Sequence, residues 1–401
     1  MASSIETTST TTTLKNNGNT YLSVDTNDDV AITNTLTATS PTFVTPNIGA
    51  ATVTSLNGGQ LGGRRNIVYN GEMKVAQRGT SFTGVTATGT FPVDRFLFHV
   101  GSLGTWTLSQ STDVPTGQGF AKSIKCDVTT VDASPSGTDY ARIDQRFEGQ
   151  DLQAFCKGTS NAKQFALSFY VKSAKTGTHI VELQDADNTR NISKAYTVSS
   201  ADTWEKKELI IDADTTGAFD SDNAKSLTVA WWLSAGTDYK SGTLATSWIS
   251  PTNANRVVGQ VNVADNTANN FFLTGVQLEE GSVATPFEHR SYGEELALCH
   301  RYYQTYQATA QEWIYLEGAG ATSRWWQSYI NTPMRAVPSA TITSGFSGSM
   351  IGGTINSIAL QSIQNNRASW RVTTSATFGS AYEVRHTDSF NGEKVLYSAE
   401  L

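Results

Sequence analysis

The sequence predicts an all-β protein with one short helix. Many short segments alternate apolar and polar residues, turn residues separate them, and strands do not alternate regularly with helices. Thr, Ser, Asn and Gly supply the polarity, because only 16% of the 401 residues are charged, against a usual fraction of about 25%. Many short strands without intervening helices predict antiparallel sheets, and we expect a central jelly-roll β-sandwich.

Residues 1–62 form the first predicted region. Thr, Ser and Asn dominate it, Trp is absent from it, and it has too little apolar bulk to order alone. Short β-prone stretches occur at residues 21–24 and 30–36. Residues 35–39 and 51–56 resemble each other, like two copies of one short strand unit. We expect a fibrous β-rich shaft that orders when several chains wind together, or alternatively a plain disordered tail.

A central sandwich is predicted for residues 63–290, after a Gly-rich joint. The clearest alternation lies at 165–171, where Phe, Leu, Phe and Val alternate with Ala166, Ser168 and Tyr170. Further strands are predicted at 124–128, 179–183, 205–212, 226–233 and 271–278.

One linking helix is predicted at 291–305. Ser291 followed by Glu294 forms a capping box, and the Glu294-Glu295 pair places negative charge in the first turn. Cys299 and Tyr303 continue a spacing of three and four residues. The helix lies between two β-rich regions and therefore marks a domain boundary.

Residues 306–401 are expected to form a C-terminal β-sandwich domain. Strands are predicted at 312–316, 324–330 and 369–372. Four of the nine Trp residues lie in this last quarter of the chain. This clustering makes the C-terminal domain the expected site of receptor contact.

Charge and cysteine content exclude several classes of protein. Lys plus Arg number 29 and Asp plus Glu number 36, a net charge of −7, so a sequence-independent nucleic-acid binder is not expected. We find neither a secretory signal nor an apolar stretch long enough for a membrane helix. Cys126, Cys156 and Cys299 match no metal or redox spacing and are expected to be buried thiols of a chain made in a reducing cytoplasm.

Two groups of motifs resemble bacteriophage tail-fibre and related virion proteins. The sequences RNIVYNGE (65–72), VAQRGTSF (75–82) and VDRF (93–96) resemble the N-L-x-x-N-G, W-Q-R-G-T-S and A-D-R-W opening of that family. NFFLTGVQLEEG (270–281), ATPFE (284–288), CHRYY (299–303) and PMRAVPS (333–339) resemble its later segments. Ala76 stands where the family commonly has Trp.

The segments at 165–173 and 204–207 are similar to strands of carbohydrate-binding modules with a galactose-binding-like jelly roll. The resemblance implies a sandwich that holds glycans on its concave face or loops. In many phage fibres the same sandwich is only a spacer or assembly module.

Candidate glycan-binding residues are exposed aromatic side chains, which stack on sugar rings. Trp231 and Trp232 are adjacent in a strand, so they face opposite sides of the sheet and one is expected outside the core. The C-terminal candidates are Trp313, Trp325, Trp326 and Tyr329. The resemblance also implies a structural calcium ion, for which Asn70 and Glu72 are the expected ligands; no other cofactor is expected.

Catalytic signatures are weak. The carboxylate pairs Glu279-Glu280 and Glu294-Glu295 are the candidates for sugar hydrolysis. Nucleophile-elbow, zinc-hydrolase and phosphate-loop motifs are missing, and the five histidines are scattered. We therefore expect no enzyme.

The expected function is that of a homotrimeric virion fibre protein. Its N-terminal segment would join other virion proteins, and its head would attach to a host surface glycan or another receptor. The alternatives are a capsid-decorating or assembly protein without sugar binding, and a polysaccharide depolymerase.

Overall fold

The protein is described by a computed structural model covering residues 3–7, 11–16, 19–25, 30–31, 64–307, 317–318, 323–330, 332–342, 349–350, 353–364, 367–374 and 394–401. The chain divides into two compact units, Met1–Val53 and Thr54–Leu401. Strands dominate both, which confirms the all-β prediction. The stretches predicted at 35–39, 51–56 and 312–316 lie outside the described residues.

The first unit contains one four-stranded antiparallel sheet. Its strands pair in chain order and are β1 (Ser3–Thr7), β2 (Thr11–Asn16), β3 (Asn19–Asp25) and β4 (Val30–Ala31). The β-prone stretch at 21–24 lies within β3. The fibrous shaft stays a prediction.

The second unit contains a β-sandwich of two six-stranded antiparallel sheets. Its strands are β5 (Ser81–Val85), β6 (Thr90–Val93), β7 (Phe96–Gly101), β8 (Thr105–Ser111), β9 (Ser123–Thr130), β10 (Tyr140–Glu148), β11 (Phe165–Ser173), β12 (Gly177–Asp185), β13 (Arg190–Val198), β14 (Glu205–Ile211), β15 (Lys225–Ala235) and β16 (Asn270–Glu280). Sheet 1 has the order β13-β12-β15-β10-β7-β6, and sheet 2 the order β14-β11-β16-β9-β8-β5. This architecture confirms the predicted jelly-roll sandwich.

The alternation in β11 explains how the sheets face each other. Phe165, Leu167, Phe169 and Val171 are buried in the core that the two sheets share. Tyr170 lies between them in sequence, so it points to the outer face of sheet 2. Each fully buried side chain of this size contributes about 2–3 kcal/mol. Other large, fully buried members of the core include Trp106, Trp231, Phe96, Phe98 and Phe271.

Long connections cover part of the outer face of sheet 1. The segment 236–262 contains the short 3-10 helices Thr237–Tyr239 and Asn253–Asn255, and a third, Val263–Asp265, follows it. Val257 of this segment packs with Trp232 in a second, smaller apolar cluster. A fourth 3-10 helix, Gly149–Phe155, follows β10.

Strands resume near the C-terminus, in the same compact unit. The described strands are β17 (Tyr303–Gln307), β18 (Glu317–Gly318), β19 (Ser323–Tyr329), β20 (Ser339–Ile342), β21 (Ser349–Met350), β22 (Gly353–Gln364), β23 (Arg367–Thr374) and β24 (Lys394–Ser398). They form a sheet of order β17-β24-β20 and a sheet of order β18-β19-β23-β22-β21. The strands predicted at 324–330 and 369–372 are confirmed by β19 and β23. The boundaries between the four predicted regions stay predictions.

The predicted helix begins where expected but is shorter. Helix α1 spans Tyr292–His300, and Ser291 and Glu294 form the predicted capping box. The expected continuation to residue 305 is wrong. Tyr303 is in strand β17, whose backbone pairs with β24, and this pairing outweighs the helical spacing of the side chains.

The opening and closing motifs of the resemblance lie side by side. The Ile67 N–H donates to the Leu278 carbonyl (3.0 Å), and the Val276 N–H donates to the Gly71 carbonyl (3.0 Å). A Cβ on Gly71 would lie 2.3 Å from the Val276 oxygen, so only glycine allows this approach. The motifs therefore join two distant parts of the sandwich.

Other motif residues form a clamp on the C-terminal strand. Arg78 pairs with Glu400 (2.9 Å), and Arg95 pairs with the same carboxylate. The Arg95 guanidinium lies 3.4 Å from the ring centre of Tyr302, and that of Arg78 lies 3.6 Å from the ring centre of Tyr303. We call Arg78, Arg95, Tyr302, Tyr303 and Glu400 the arginine clamp; it holds the exit of α1 and the end of β24 against the sandwich.

Candidate functional site

A pocket of about 490 Å³ opens on the outer face of sheet 2. We call it the aromatic pocket, because its lining includes Phe120, Tyr170, Phe287 and His289. This volume is within the range of about 300–1,000 Å³ that is usual for ligand sites.

Strands β11 and β16 form the floor of the aromatic pocket. Tyr170 pairs with Thr274, and the register shifts between Ser168 and Tyr170 because β16 bulges at Gly275. Gly275 has a φ of 59°, and a Cβ there would lie 2.6 Å from Phe120 and 3.0 Å from Tyr170. Glycine is therefore required both by the backbone and by the two rings.

The rings meet edge to face or at a tilt. Phe120 lies 5.4 Å from Tyr170 and 5.0 Å from Phe287, between ring centres. His289 lies 5.4 Å from Phe120 and 5.0 Å from Phe287. Such aromatic contacts contribute about 0.5–1.5 kcal/mol each beyond burial. Phe120 is buried, whereas Tyr170 and Phe287 are half-buried and His289 is exposed, so the cluster presents ring surface to solvent.

Polar groups stand at the rim of the aromatic pocket. The Tyr170 hydroxyl donates to Gln118 Oε1 (2.7 Å). No described residue accepts a hydrogen bond from the Gln118 amide nitrogen. Lys206 also lines the pocket and pairs with Glu208 at an exposed position (2.7 Å). The rim thus offers a hydroxyl and an amide beside ring faces, the combination that pairs with sugar hydroxyls and sugar C–H groups.

A second pocket, of about 310 Å³, lies on the outer face of sheet 1 and lacks aromatic side chains in its lining. Glu182 lies at its base and is fully buried. Its carboxylate accepts from Arg256 (2.8 and 2.9 Å), Gln184 (2.9 Å) and Asn191 (3.2 Å). Because its acid is already saturated, this polar pocket resembles a structural network more than a sugar site.

The sandwich tryptophans predicted as glycan ligands are both buried, each 1% exposed. Trp231 lies between the sheets against Phe169 (5.8 Å). Trp232 faces outward as expected, but Tyr239 and Arg256 of the segment 236–262 cover it. Neither offers a ring to a ligand, so this part of the site prediction is wrong.

The structure describes three of the four C-terminal residues that are candidates for glycan binding. Trp325, Trp326 and Tyr329 belong to β19, where their backbones pair with Arg371, Trp370 and Arg367 of β23. Trp313 lies outside the described residues. The role of these four residues in glycan contact stays a prediction.

The residues expected to bind calcium make protein contacts that do not fit a calcium site. Asn70 Oδ1 accepts from the Val75 N–H (2.9 Å), and its Nδ2 donates to the Val75 (2.9 Å) and Asp94 (2.8 Å) carbonyls. Glu72 pairs with Lys74 (3.0 Å), a cation that would compete with a metal. The described residues contain no group of three or more His, Cys, Asp or Glu suited to a metal ion.

The candidate catalytic carboxylates are each held by protein groups. Glu279 is buried and accepts from Thr285 through both its oxygens (2.7 and 2.8 Å), while Glu280 pairs with Lys163 (2.8 Å). Glu294 caps α1. Burial raises the pKa of Glu295, and the Asn70 N–H opposes this shift by donating to it (2.5 Å). These contacts are structural.

The thiols and helices add no further candidate. Cys126 and Cys299 are buried and free, as expected, whereas Cys156 is free but half-buried. Burial raises the pKa of the Cys126 and Cys299 thiols well above the usual value, so both stay protonated and inert. No helix among the described residues has the length and apolar character to cross a membrane.

The sequence interpretation missed the aromatic pocket. The signal for Tyr170 was present, since it occupies an outward position in a strand whose inward positions are all apolar. Phe120 and Phe287 carried no comparable signal, because each lies in a connection outside the strands.

A scan against protein-family models and a search of curated proteins found no match. Among solved structures, the enzymatically active domain of tailspike protein 4 of bacteriophage CBA120 is 14% identical, with a TM-score of 0.28, over 54% of this chain and 21% of the tailspike chain. The CBM22-1 xylan-binding domain of Paenibacillus barcinonensis Xyn10C is 10% identical, with a TM-score of 0.26, over 57% of this chain and 100% of that domain. TmCBM61, solved with beta-1,4-galactotriose, is 9% identical, with a TM-score of 0.26, over 54% and 99%. TM-scores this low support no argument about function, so function has to be inferred from the residues of the candidate site.

Proposed function

We propose that this chain is a non-catalytic virion fibre protein whose sandwich binds a host surface glycan in the aromatic pocket. The observation that carries the proposal is the group formed by Phe120, Tyr170 and Phe287 around an open pocket. The Tyr170 hydroxyl and the Gln118 amide lie beside these rings. Ring faces bind the apolar side of a sugar, and the polar groups orient its hydroxyls.

The virion setting rests on the resemblance of the motifs to phage tail-fibre proteins. We extend it to a homotrimer that joins other virion proteins through residues 1–62, because closed symmetry is the rule for such assemblies. Three copies of one weak pocket raise the effective concentration of ligand without any new contact.

Binding of the full-length protein to immobilised host surface polysaccharide tests the pocket. Tyr170→Ala and Phe287→Ala should each weaken binding by roughly 10-fold or more, which corresponds to about 1.4 kcal/mol for one aromatic anchor. Tyr292→Ala is the matched control, since Tyr292 is exposed and does not line the pocket. Unchanged binding by both pocket variants would exclude the aromatic pocket as the sugar site.

Point variants test the site better than removal of residues 306–401. Strand β24 pairs with β17, and Glu400 belongs to the arginine clamp. A truncation would therefore remove structural contacts together with any receptor surface.

Two alternative functions predict different experimental results. If the chain is a capsid-decorating or assembly protein, virus particles that carry the Tyr170→Ala variant should adsorb to host cells as well as wild-type particles do. In a depolymerase, incubation with host polysaccharide should shorten its chains, as measured by size-exclusion chromatography; we expect no change in length.

A further inference from the structure

Lys157 carries a buried ammonium that is surrounded by oxygen atoms. Its Nζ lies 2.6 Å from Asp185 Oδ2 and 3.1 Å from Asp214 Oδ2, and its side chain is 1% exposed. The ammonium also donates to the carbonyl oxygens of Thr216 (3.1 Å) and Gly217 (2.8 Å). We call these four oxygens the cation cage.

The cation cage joins three segments that are distant in sequence. Lys157 follows the 3-10 helix Gly149–Phe155, Asp185 ends β12, and Asp214 lies in the connection after β14. Arg190 of β13 supports it by donating to both oxygens of Asp214 (2.8 and 3.2 Å). The Lys157 ammonium thus ties these connections together at one end of the sandwich.

The backbone of the cage is shaped closely around the ammonium. Gly217 has a φ of 73°, and a Cβ there would lie 2.4 Å from the Asn188 side chain. Asn188 in turn donates to Asp185 (3.0 Å) and to the Ala218 carbonyl (2.8 Å). Asn188 therefore packs against Gly217 from outside the cage and holds the Asp185 carboxylate in place.

Two aromatic rings complete the surroundings. The ring centres of Phe219 and Trp248 each lie 5.2 Å from Lys157 Nζ, within the distance of a cation–π contact. Every neighbour of the ammonium described here is a carboxylate, a carbonyl or a ring face, and each of these favours a cation.

Carboxylate and backbone carbonyl oxygens are also the ligands that calcium takes in proteins, at about 2.3–2.6 Å. We propose that Lys157 is the internal cation of this cage and stands in for a bound metal ion. It follows that the wild-type sandwich needs no metal here, and that calcium enters the cage when the ammonium is removed. This inference is independent of the proposed sugar binding.

The test compares full-length wild type with Lys157→Ala, which removes the charge and leaves the space of the ammonium free for a metal ion. Scanning calorimetry in EDTA should show a melting temperature lower by on the order of 10 °C for the variant, since one partner of a buried ion pair is lost. Millimolar calcium should restore a large part of this loss. Lys163→Ala is the matched control, because Lys163 pairs with Glu280 at an exposed position.

Terbium luminescence gives a second readout, because Trp248 lies close enough to the cage to sensitise a bound lanthanide. The Lys157→Ala protein should show this luminescence, and adding Asp185→Asn should abolish both the luminescence and the calcium rescue. If Lys157→Ala does not fold in EDTA, refolding in calcium provides the same comparison.

Equal melting temperatures of Lys157→Ala in EDTA and in calcium would overturn the inference, as would failure to refold in either. An equal rise in melting temperature on adding calcium to the wild type and to the variant would also overturn the inference, since Lys157 would then not replace the metal.

Discussion

Acidification should destabilise the sandwich through the buried His179. Its Nε2 lies 3.0 Å from the Lys175 carbonyl oxygen, and its ring stacks on Tyr196 with 5.5 Å between centres. A bond to a carbonyl requires a hydrogen on Nε2, so Nδ1 of the neutral ring is an acceptor, and no described residue donates to it. Burial lowers the pKa of His179 from 6.5 to about 4, although the Lys175 hydrogen bond raises it.

The size of the effect follows from the two pKa values. Because the folded value is the lower one, the unfolded chain binds the extra proton between pH 6.5 and pH 4. The free energy of unfolding therefore decreases as pH falls through this window, and His179 contributes no such loss above it. The difference between 6.5 and about 4 corresponds to about 3 kcal/mol, at 1.36 kcal/mol for each pKa unit.

The contribution of His179 can be measured by urea denaturation of wild type and His179→Phe between pH 7.5 and pH 4. Unfolding is followed by Trp fluorescence. At pH 7.5 the variant should be less stable by about 1 kcal/mol, because the hydrogen bond to Lys175 is lost. Towards pH 4 the order should reverse, since phenylalanine cannot take up a proton. Tyr196→Phe, which changes the stacked neighbour and keeps the imidazole, should follow the pH dependence of the wild type.

A difference in unfolding free energy between wild type and His179→Phe that stays constant within about 1 kcal/mol over this range would refute the reasoning. It would mean that the imidazole accepts a proton in the folded state without penalty.

Two further predictions concern the aromatic pocket and the connection to α1. Gly275→Ala should abolish binding to host polysaccharide and lower the unfolding free energy by about 1–3 kcal/mol in urea, because its Cβ would meet Phe120 in a left-handed backbone; unchanged binding would contradict the assigned pocket floor. Burial raises the pKa of Glu148, but the hydrogen bonds (2.6 and 2.8 Å) and the positive charge of Arg301 outweigh it and lower the pKa below 4.5. Arg301→Gln should therefore cost about 1–2 kcal/mol at pH 7, a loss that shrinks as pH falls through the folded pKa of Glu148; a loss independent of pH would argue against the ion pair.

The sandwich could be predicted because its strands are regular. At 165–171 the inward positions are all apolar, so the period of two is visible without knowledge of the partner strands. The end of α1 could not be predicted in the same way. Tyr303 continues the helical spacing, but its backbone pairs with Ser398, almost a hundred residues later in the chain. A local pattern carries no information on so distant a partner.

The site was harder to predict than the fold for the same reason. Trp232 does face away from the core, yet Tyr239 of the following segment returns to cover it. Tyr170 faces outward too and stays half-buried beside Phe120. Which outward ring is covered depends on the course of the connections, and residue type alone does not encode that course.

The aromatic pocket draws its rings from two kinds of structure. Tyr170 belongs to strand β11, whose inward side chains form the core, whereas Phe120 and Phe287 lie in connections that add few residues to that core. Replacements in the two connections reshape the pocket and leave the sheets intact. Under the proposed function, ligand preference and folding stability would therefore depend on different residues, and a lineage of such chains could change its ligand by altering one connection at a time.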